Sequence, residues 1–153
     1  MQDFHKVRAW QKAHALAISI RRLTDGFPRT GYARLRNQMI AAAESIADNI
    51  AEGCGAATSA EFARFLDMSI KSTSELENQL ERGHGYKVLR TDEWRKHVDE
   101  VCLVRKMTWG LRRTVLSSGE IELDPTEDER TTGQENGEPK TENGRQTTDH
   151  GNG

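Results

Sequence analysis

The sequence predicts an all-α protein: an antiparallel up-down-up-down four-helix bundle followed by a disordered acidic C-terminal tail. Three observations carry this expectation. Pro28 is the only proline between Phe4 and Ser118, and the stretch is rich in Ala, Leu, Arg, Lys and Glu, all good helix formers. Apolar residues recur there at helical spacing in four blocks, and no convincing period-two alternation competes with them. After Leu123 apolar residues almost disappear, so that segment cannot bury enough surface to offset its chain entropy.

Each block has its own start and stop. Helix one is expected over residues 3–25, with Val7, Trp10, Ala13, Ala17, Ile18 and Ile20 on one broad face. Gly26, Phe27 and Pro28 end it, because proline disfavours the helical conformation in the residue before it. Helix two is expected over residues 30–52, with Tyr32, Leu35, Met39, Ala42, Ala43, Ile46, Ala47 and Ile50 inward and Gly53 and Gly55 as the stop. Helix three follows over residues 59–82, capped by Thr58 or Ser59. Its stripe is Phe62, Phe65, Leu66, Ser69, Ile70, Thr73, Leu76 and Leu80, and Gly83 and Gly85 close it. Helix four spans residues 91–116 from the acidic first turn Thr91-Asp92-Glu93, with Trp94, Val98, Val101, Val104, Thr108, Leu111 and Val115 on one side. Short connections between helices of similar length favour the up-down arrangement. The folding unit is therefore residues 1–118 and the tail is residues 119–153.

The formal net charge of −2 hides a split. Residues 1–118 hold 19 basic and 14 acidic side chains, and residues 119–153 hold 3 basic and 10 acidic. A mildly basic body with an acidic tail points weakly toward a polyanionic partner. In one reading the tail only aids solubility; in the other it competes with nucleic acid for the body. Cys54 and Cys102 stand alone, without CxxC spacing, and read as thiols in a reducing compartment. The opening Met1-Gln2-Asp3-Phe4-His5-Lys6 lacks a signal-peptide h-region, and no apolar run approaches the ~20 residues of a membrane span. The expectation is a cytoplasmic protein with no membrane partner.

No constellation of catalytic groups emerges, and no cofactor or metal is expected. Glu81 and His84 match the Glu-x-x-His spacing of bundle di-metal sites once, at a helix end, with no second copy. Phosphate-loop, nucleophile-elbow and His-Glu-x-x-His patterns are missing from the sequence. His14 lies near the apolar face of helix one and reads as a hydrogen-bonded core or interface residue.

Charges inside apolar arcs are more informative. On helix four, Arg105 and Arg112 fall within about 20° of Trp94, mid-stripe. On helix three, Glu77 falls about 60° from Phe62. Arg36 and Arg21 are placed likewise. Lone buried charges are costly, so pairing within the bundle or across a subunit interface is expected, with Glu77 as partner to Arg105 or Arg112. The alternative is that both arginines line a nucleic-acid surface. Asn49 and Glu52 read as cap or interface residues. Candidate phosphate contacts are Lys6, Arg8 and Lys12 on helix one, Arg21, Arg22 and Arg29 toward its far end, Arg34 on helix two, and Arg95, Lys106 and Arg113, which share one stripe of helix four.

A family resemblance rests on particular segments. Gln38-Met39-Ile40-Ala41-Ala42-Ala43 leads into Ser45-Ile46-Ala47-Asp48-Asn49-Ile50-Ala51-Glu52-Gly53. Glu61-Phe62-Ala63-Arg64-Phe65-Leu66 follows, and then the helix-three run from Ser69 to Leu80 containing Glu75-Leu76-Glu77. With Trp10-Gln11-Lys12-Ala13-His14, Leu23-Thr24 and Phe27-Pro28 upstream, residues 5–116 resemble the 23S rRNA intervening sequence proteins, a four-helix bundle family. Ala47 departs from the proline often found there, which implies a straighter helix two, and the acidic tail is a second departure. The resemblance implies a homopentamer. It also implies kinship in fold with the accessory variability proteins of diversity-generating retroelements, which bind nucleic acid and a partner reverse transcriptase. Two function classes follow: a homo-oligomeric nucleic-acid-binding accessory protein, or a structural or protein-interaction oligomer without a nucleic-acid partner. The wide apolar arc of helix four, extended by Trp109 and Leu116, favours an oligomer in either case.

Overall fold

The computed structural model describes residues 2–122, and four α-helices preceded by one short 3-10 turn make up that region. The 3-10 turn covers Phe4–Lys6, and α1 Arg8–Asp25, α2 Ala33–Cys54, α3 Ser59–Gly85 and α4 Thr91–Glu122 follow. No strand occurs among the described residues. The expected acidic tail lies outside them apart from residues 119–122, which continue α4 beyond the boundary expected at Ser118.

Side-chain contacts fix the topology. Ser45 on α2 bonds Ser72 on α3, Arg105 on α4 bonds Glu77 on α3, Arg112 bonds Asp67, and Ser19 on α1 bonds His97 on α4. The numbers run in opposite senses on α3 and α4 (Glu77 with Arg105, Asp67 with Arg112) and on α2 and α3 (Ser45 with Ser72, Ile46 with Ser69). They do so again on α1 and α2 (Arg21 with Glu44, Thr24 with Arg36), and the late α1 residue Ser19 meets the early α4 residue His97, so every neighbour is antiparallel. The bundle runs up-down-up-down and closes on itself, with α2 on α3 its most extensive seam and α1 on α4 its least.

The interior follows the helical period. Met39, Ile46, Ile50, Leu66, Leu76, Leu80 and Val101 are fully buried, with Ile20 and Leu16 from α1. The inward face expected for α2 is buried throughout except Tyr32, which precedes the helix. On α1 the expected face is displaced: Ile18 is 43% exposed, while Leu16, Ala9 and Thr24 are buried instead. Buried hydroxyls bond within the structure, Thr24 to the Arg21 carbonyl, Thr108 to the Val104 carbonyl and Ser69 across to the Ile46 carbonyl. Buried polar groups without such partners would cost ~1–3 kcal/mol each.

Four helix boundaries differ from expectation for local reasons. Asp3 accepts from the His5 N–H, closing a separate turn, and Val7 is extended (φ −82°, ψ 115°), so α1 starts at Arg8. Gly31 takes φ +89°, outside the helical region, and delays α2 to Ala33. Gly53 and Gly83 do not stop their helices; both lie inside them, buried. Gly55 follows α2 in a right-handed conformation (φ −89°), not the left-handed closure expected. The real reversal after α3 uses Lys87, at φ 59°, with Val88 and Leu89 bonding back to the Gly83 carbonyl.

Gly53 is instead a packing residue. A Cβ there would stand 2.5 Å from Cδ2 of Phe62 and 3.1 Å from Cβ of Phe65, so its absence lets α3 begin against the end of α2. Gly53→Ala should gain about 1 kcal/mol in helix propensity but force Phe62 aside, at about 1–3 kcal/mol. The expected net result in urea denaturation is a loss of up to about 2 kcal/mol. A gain in stability would show that the contact relaxes freely.

Candidate nucleic-acid interface

The topology decides which charges share a surface. One end of the bundle carries the α1–α2 and α3–α4 loops; the other carries residues 2–7 and the α2–α3 loop, where the Gln2 N–H bonds the Cys54 carbonyl. The two-loop end comprises residues 21–36 and 81–96. It holds ten basic residues (Arg21, Arg22, Arg29, Arg34, Arg36, Arg82, Lys87, Arg90, Arg95 and Lys96) against four acidic ones (Asp25, Glu81, Asp92 and Glu93), a formal charge of +6. The rest of residues 2–118 holds nine basic and ten acidic side chains, a charge of −1. The excess positive charge of the bundle therefore sits at one end.

Three of those ten cations are engaged. Arg90 bonds Asp92 at 2.9 and 3.1 Å, and this holds the Asp92 carboxyl at about 2, well below its ordinary 3.8. The Arg90 N–H also donates to Glu93, which caps the start of α4. Arg21 bonds Glu44 at 3.2 Å across the α1/α2 groove. Arg36 pairs with no acid among the described residues; its guanidinium donates to the Thr24, Phe27 and Pro28 carbonyls at 3.2–3.4 Å and so caps the end of α1. The other seven, Arg22, Arg29, Arg34, Arg82, Lys87, Arg95 and Lys96, are exposed and have no acidic partner within salt-bridge distance among the described residues.

The candidates read from sequence thus divide. Arg21, Arg22, Arg29, Arg34 and Arg95 stand at the two-loop end, whereas Lys6, Arg8, Lys12 and Arg113 belong to the opposite end and Lys106 lies between along α4. Sequence reasoning passed over Arg82, Lys87 and Lys96. Their signal is the topology itself, because an up-down bundle places the α3–α4 connection beside the α1–α2 connection.

Both arginines inside the α4 arc meet carboxylates on α3. Arg105 donates to Glu77 and, at 2.9 Å, to the Thr73 hydroxyl; its side chain is 24% exposed and that of Glu77 33%. Arg112 grips Asp67 with two bonds of 2.6 and 3.1 Å. Their forks are occupied, so they do not add free cations to a phosphate surface. Asn49 donates to the carbonyl and hydroxyl of Ser45, whose hydroxyl meets Ser72 on α3, while Glu52 is exposed.

The histidines act locally. His14 is exposed rather than buried, stacked on Trp10 with centroids 4.8 Å apart. His84 stacks on Trp94 and meets the Thr91 hydroxyl at 3.1 Å. Buried His97 must donate from Nδ1 to the Glu93 carbonyl at 2.7 Å, since a carbonyl only accepts; its Nε2 meets Ser19 at 2.9 Å and ties α4 to α1. No group of three or more metal-ligating side chains occurs among the described residues, and no described helix is long and apolar enough to cross a membrane. Burial pushes the Cys54 thiol above its ordinary pKa, which makes it a poor nucleophile.

A family model described as 23S rRNA-intervening sequence protein matches residues 5–110. The chain belongs to that family. The match takes in both loops of the basic end and α4 as far as Gly110. Among solved structures, the chain is similar to a protein of unknown function from the S23 ribosomal protein family of Bacteroides thetaiotaomicron VPI-5482. The two are 19% identical with a TM-score of 0.64, over 68% of this chain and 97% of that one, a likeness of fold. No curated protein matches the chain.

The half-buried Arg105–Glu77 pair should be strongly coupled. Removing either partner strands the other, so the Glu77→Ala/Arg105→Ala cycle is expected to show a coupling of about 1–2 kcal/mol in urea denaturation. Additive losses would contradict the pairing.

Proposed function

We propose that this protein is a non-enzymatic, homo-oligomeric nucleic-acid-binding accessory protein whose two-loop end contacts phosphate. The single observation that supports it is the +6 charge gathered there, with seven exposed cations free of acidic partners among the described residues. Such a surface neutralises phosphates without reading bases. The printed description of the family, an rRNA-intervening sequence protein, makes structured RNA the first ligand to try.

Self-association has its own support. Ile18 (43% exposed) and Leu103 (47% exposed) lie on the thinly packed α1/α4 side, and a ring of copies would repeat the basic end and strengthen its field. The resemblance to pentameric relatives makes a five-chain native mass the expected result. Assisting a retroelement reverse transcriptase is one role that would use this surface; a reverse-transcriptase gene and template repeat beside the coding sequence would support it.

Binding of the full chain to an RNA hairpin, titrated with salt, tests the reading. Affinity should fall steeply as salt rises. Arg29→Glu/Lys87→Glu/Lys96→Glu should weaken binding more than tenfold at low salt and flatten the logarithmic salt slope by about three. Lys6→Glu/Arg8→Glu/Lys12→Glu should change the slope by about one or less. No binding at low salt by the assembled wild type would overturn the reading in favour of a structural or protein-interaction oligomer.

A further inference from the structure

The outer face of α4 carries a feature the basic end does not explain. Trp109 is 44% exposed, although burying an indole is among the larger apolar gains available to a side chain. The guanidinium carbon of Arg112 lies over its ring, 5.4 Å from the centroid. That guanidinium is itself held by two bonds to Asp67. The indole is therefore braced from below by a cation that a carboxylate immobilises. Its exposure comes with a fixed position, which lowers the entropy lost when a flat ligand stacks on it.

Basic side chains flank the ring. Lys106 and Arg113 stand three residues before and four after Trp109, one turn away on each side, and fall within about 60° of it around the helix. Both are exposed, and neither has an acidic partner within salt-bridge distance among the described residues. Arg95 continues the same stripe to the two-loop end. An aromatic platform with free cations one turn to either side matches the spacing of a base and its flanking phosphates.

We propose that Trp109 is a stacking platform for an unpaired nucleic-acid base, with Lys106 and Arg113 on the adjacent phosphates and the Arg112–Asp67 pair positioning the ring. This rests on the nucleic-acid reading above and narrows it: α4 takes single-stranded nucleotides, while the two-loop end takes phosphate of any form. Stacking is indifferent to base identity because every base presents a π-face. Protein partners are less well matched, since an apolar partner face would have to desolvate Lys106 and Arg113 beside the indole.

The test compares the full-length wild type, Trp109→Ala and Trp109→Phe on two probes, a twelve-nucleotide oligouridylate and a blunt twelve-base-pair RNA duplex, with native mass measured in parallel. Trp109→Ala should weaken oligouridylate binding about tenfold. It should leave duplex binding within about twofold and native mass unchanged, because no stacked base is lost from the duplex. Trp109→Phe should retain binding within about threefold, as phenyl also stacks. Equal oligouridylate binding by wild type and Trp109→Ala would overturn the platform while leaving the basic end intact. So would equal losses on both probes, or a fall in native mass that tracks the loss, which would make Trp109 a contact between copies. If the wild type binds neither probe at low salt, the platform falls together with the broader reading.

Discussion

Two guanidinium groups set in the apolar arc of α4 have to be met by α3, and the rest of the bundle is arranged around that requirement. Arg105 meets Glu77 and Thr73, and Arg112 meets Asp67 lower down. Sliding α4 by one turn along α3 would move it about 5.4 Å and leave both cations facing the wrong partners. Losing the half-buried Arg105–Glu77 pair alone would cost about 1–2 kcal/mol, and the displaced apolar contacts would add to that cost. The two pairs thus act as a register key. Hydroxyl contacts add to it on the other seams, Ser45 to Ser72 between α2 and α3, and Ser19 to His97 between α1 and α4.

Once register and direction are fixed, the charge distribution follows. Residues distant in sequence, Arg29 and Arg34 near one loop and Arg82, Lys87 and Lys96 near the other, come to the same end because the chain reverses three times. Their mutual repulsion is tolerated at the surface, where water and salt screen it. Where positive charge would disturb the fold, it is used locally: Arg36 closes the carbonyl end of α1, and Arg90 ties down the first turn of α4 through Asp92. Structural and free cations are therefore interleaved in one region, and only the free ones are available to phosphate.

The helices and most of the core were legible in the sequence because burial repeats with the helical period. Met39, Ile46 and Ile50, or Leu66, Leu76 and Leu80, could be read at sight. Family membership was legible too, in the run from Ser45 to Gly53 and the segments around it. Local geometry was harder. Gly53 reads as a stop signal, yet it is a contact, because the space Phe62 needs depends on the next helix. The break at Val7 depends on a cap between Asp3 and His5 that apolar periodicity does not register. Asp67 sits about 140° from Phe62 on α3, outside the arc where a partner for Arg112 would be sought, and an arginine is long enough to reach it. Arg82, Lys87 and Lys96 belong to the basic end through topology alone, so one-dimensional spacing could not gather them with Arg29 and Arg34.

The central claim is that nucleic acid meets this protein at the two-loop end. The most direct measurement is backbone amide chemical-shift mapping of the full chain during titration with a blunt RNA duplex, which offers phosphate without unpaired bases, at moderate salt. Shifts concentrated on residues 26–36 and 82–96, fading toward the 54–58 loop, are the predicted result. Shifts centred on that loop and on residues 3–8, with the two-loop end silent, would contradict it.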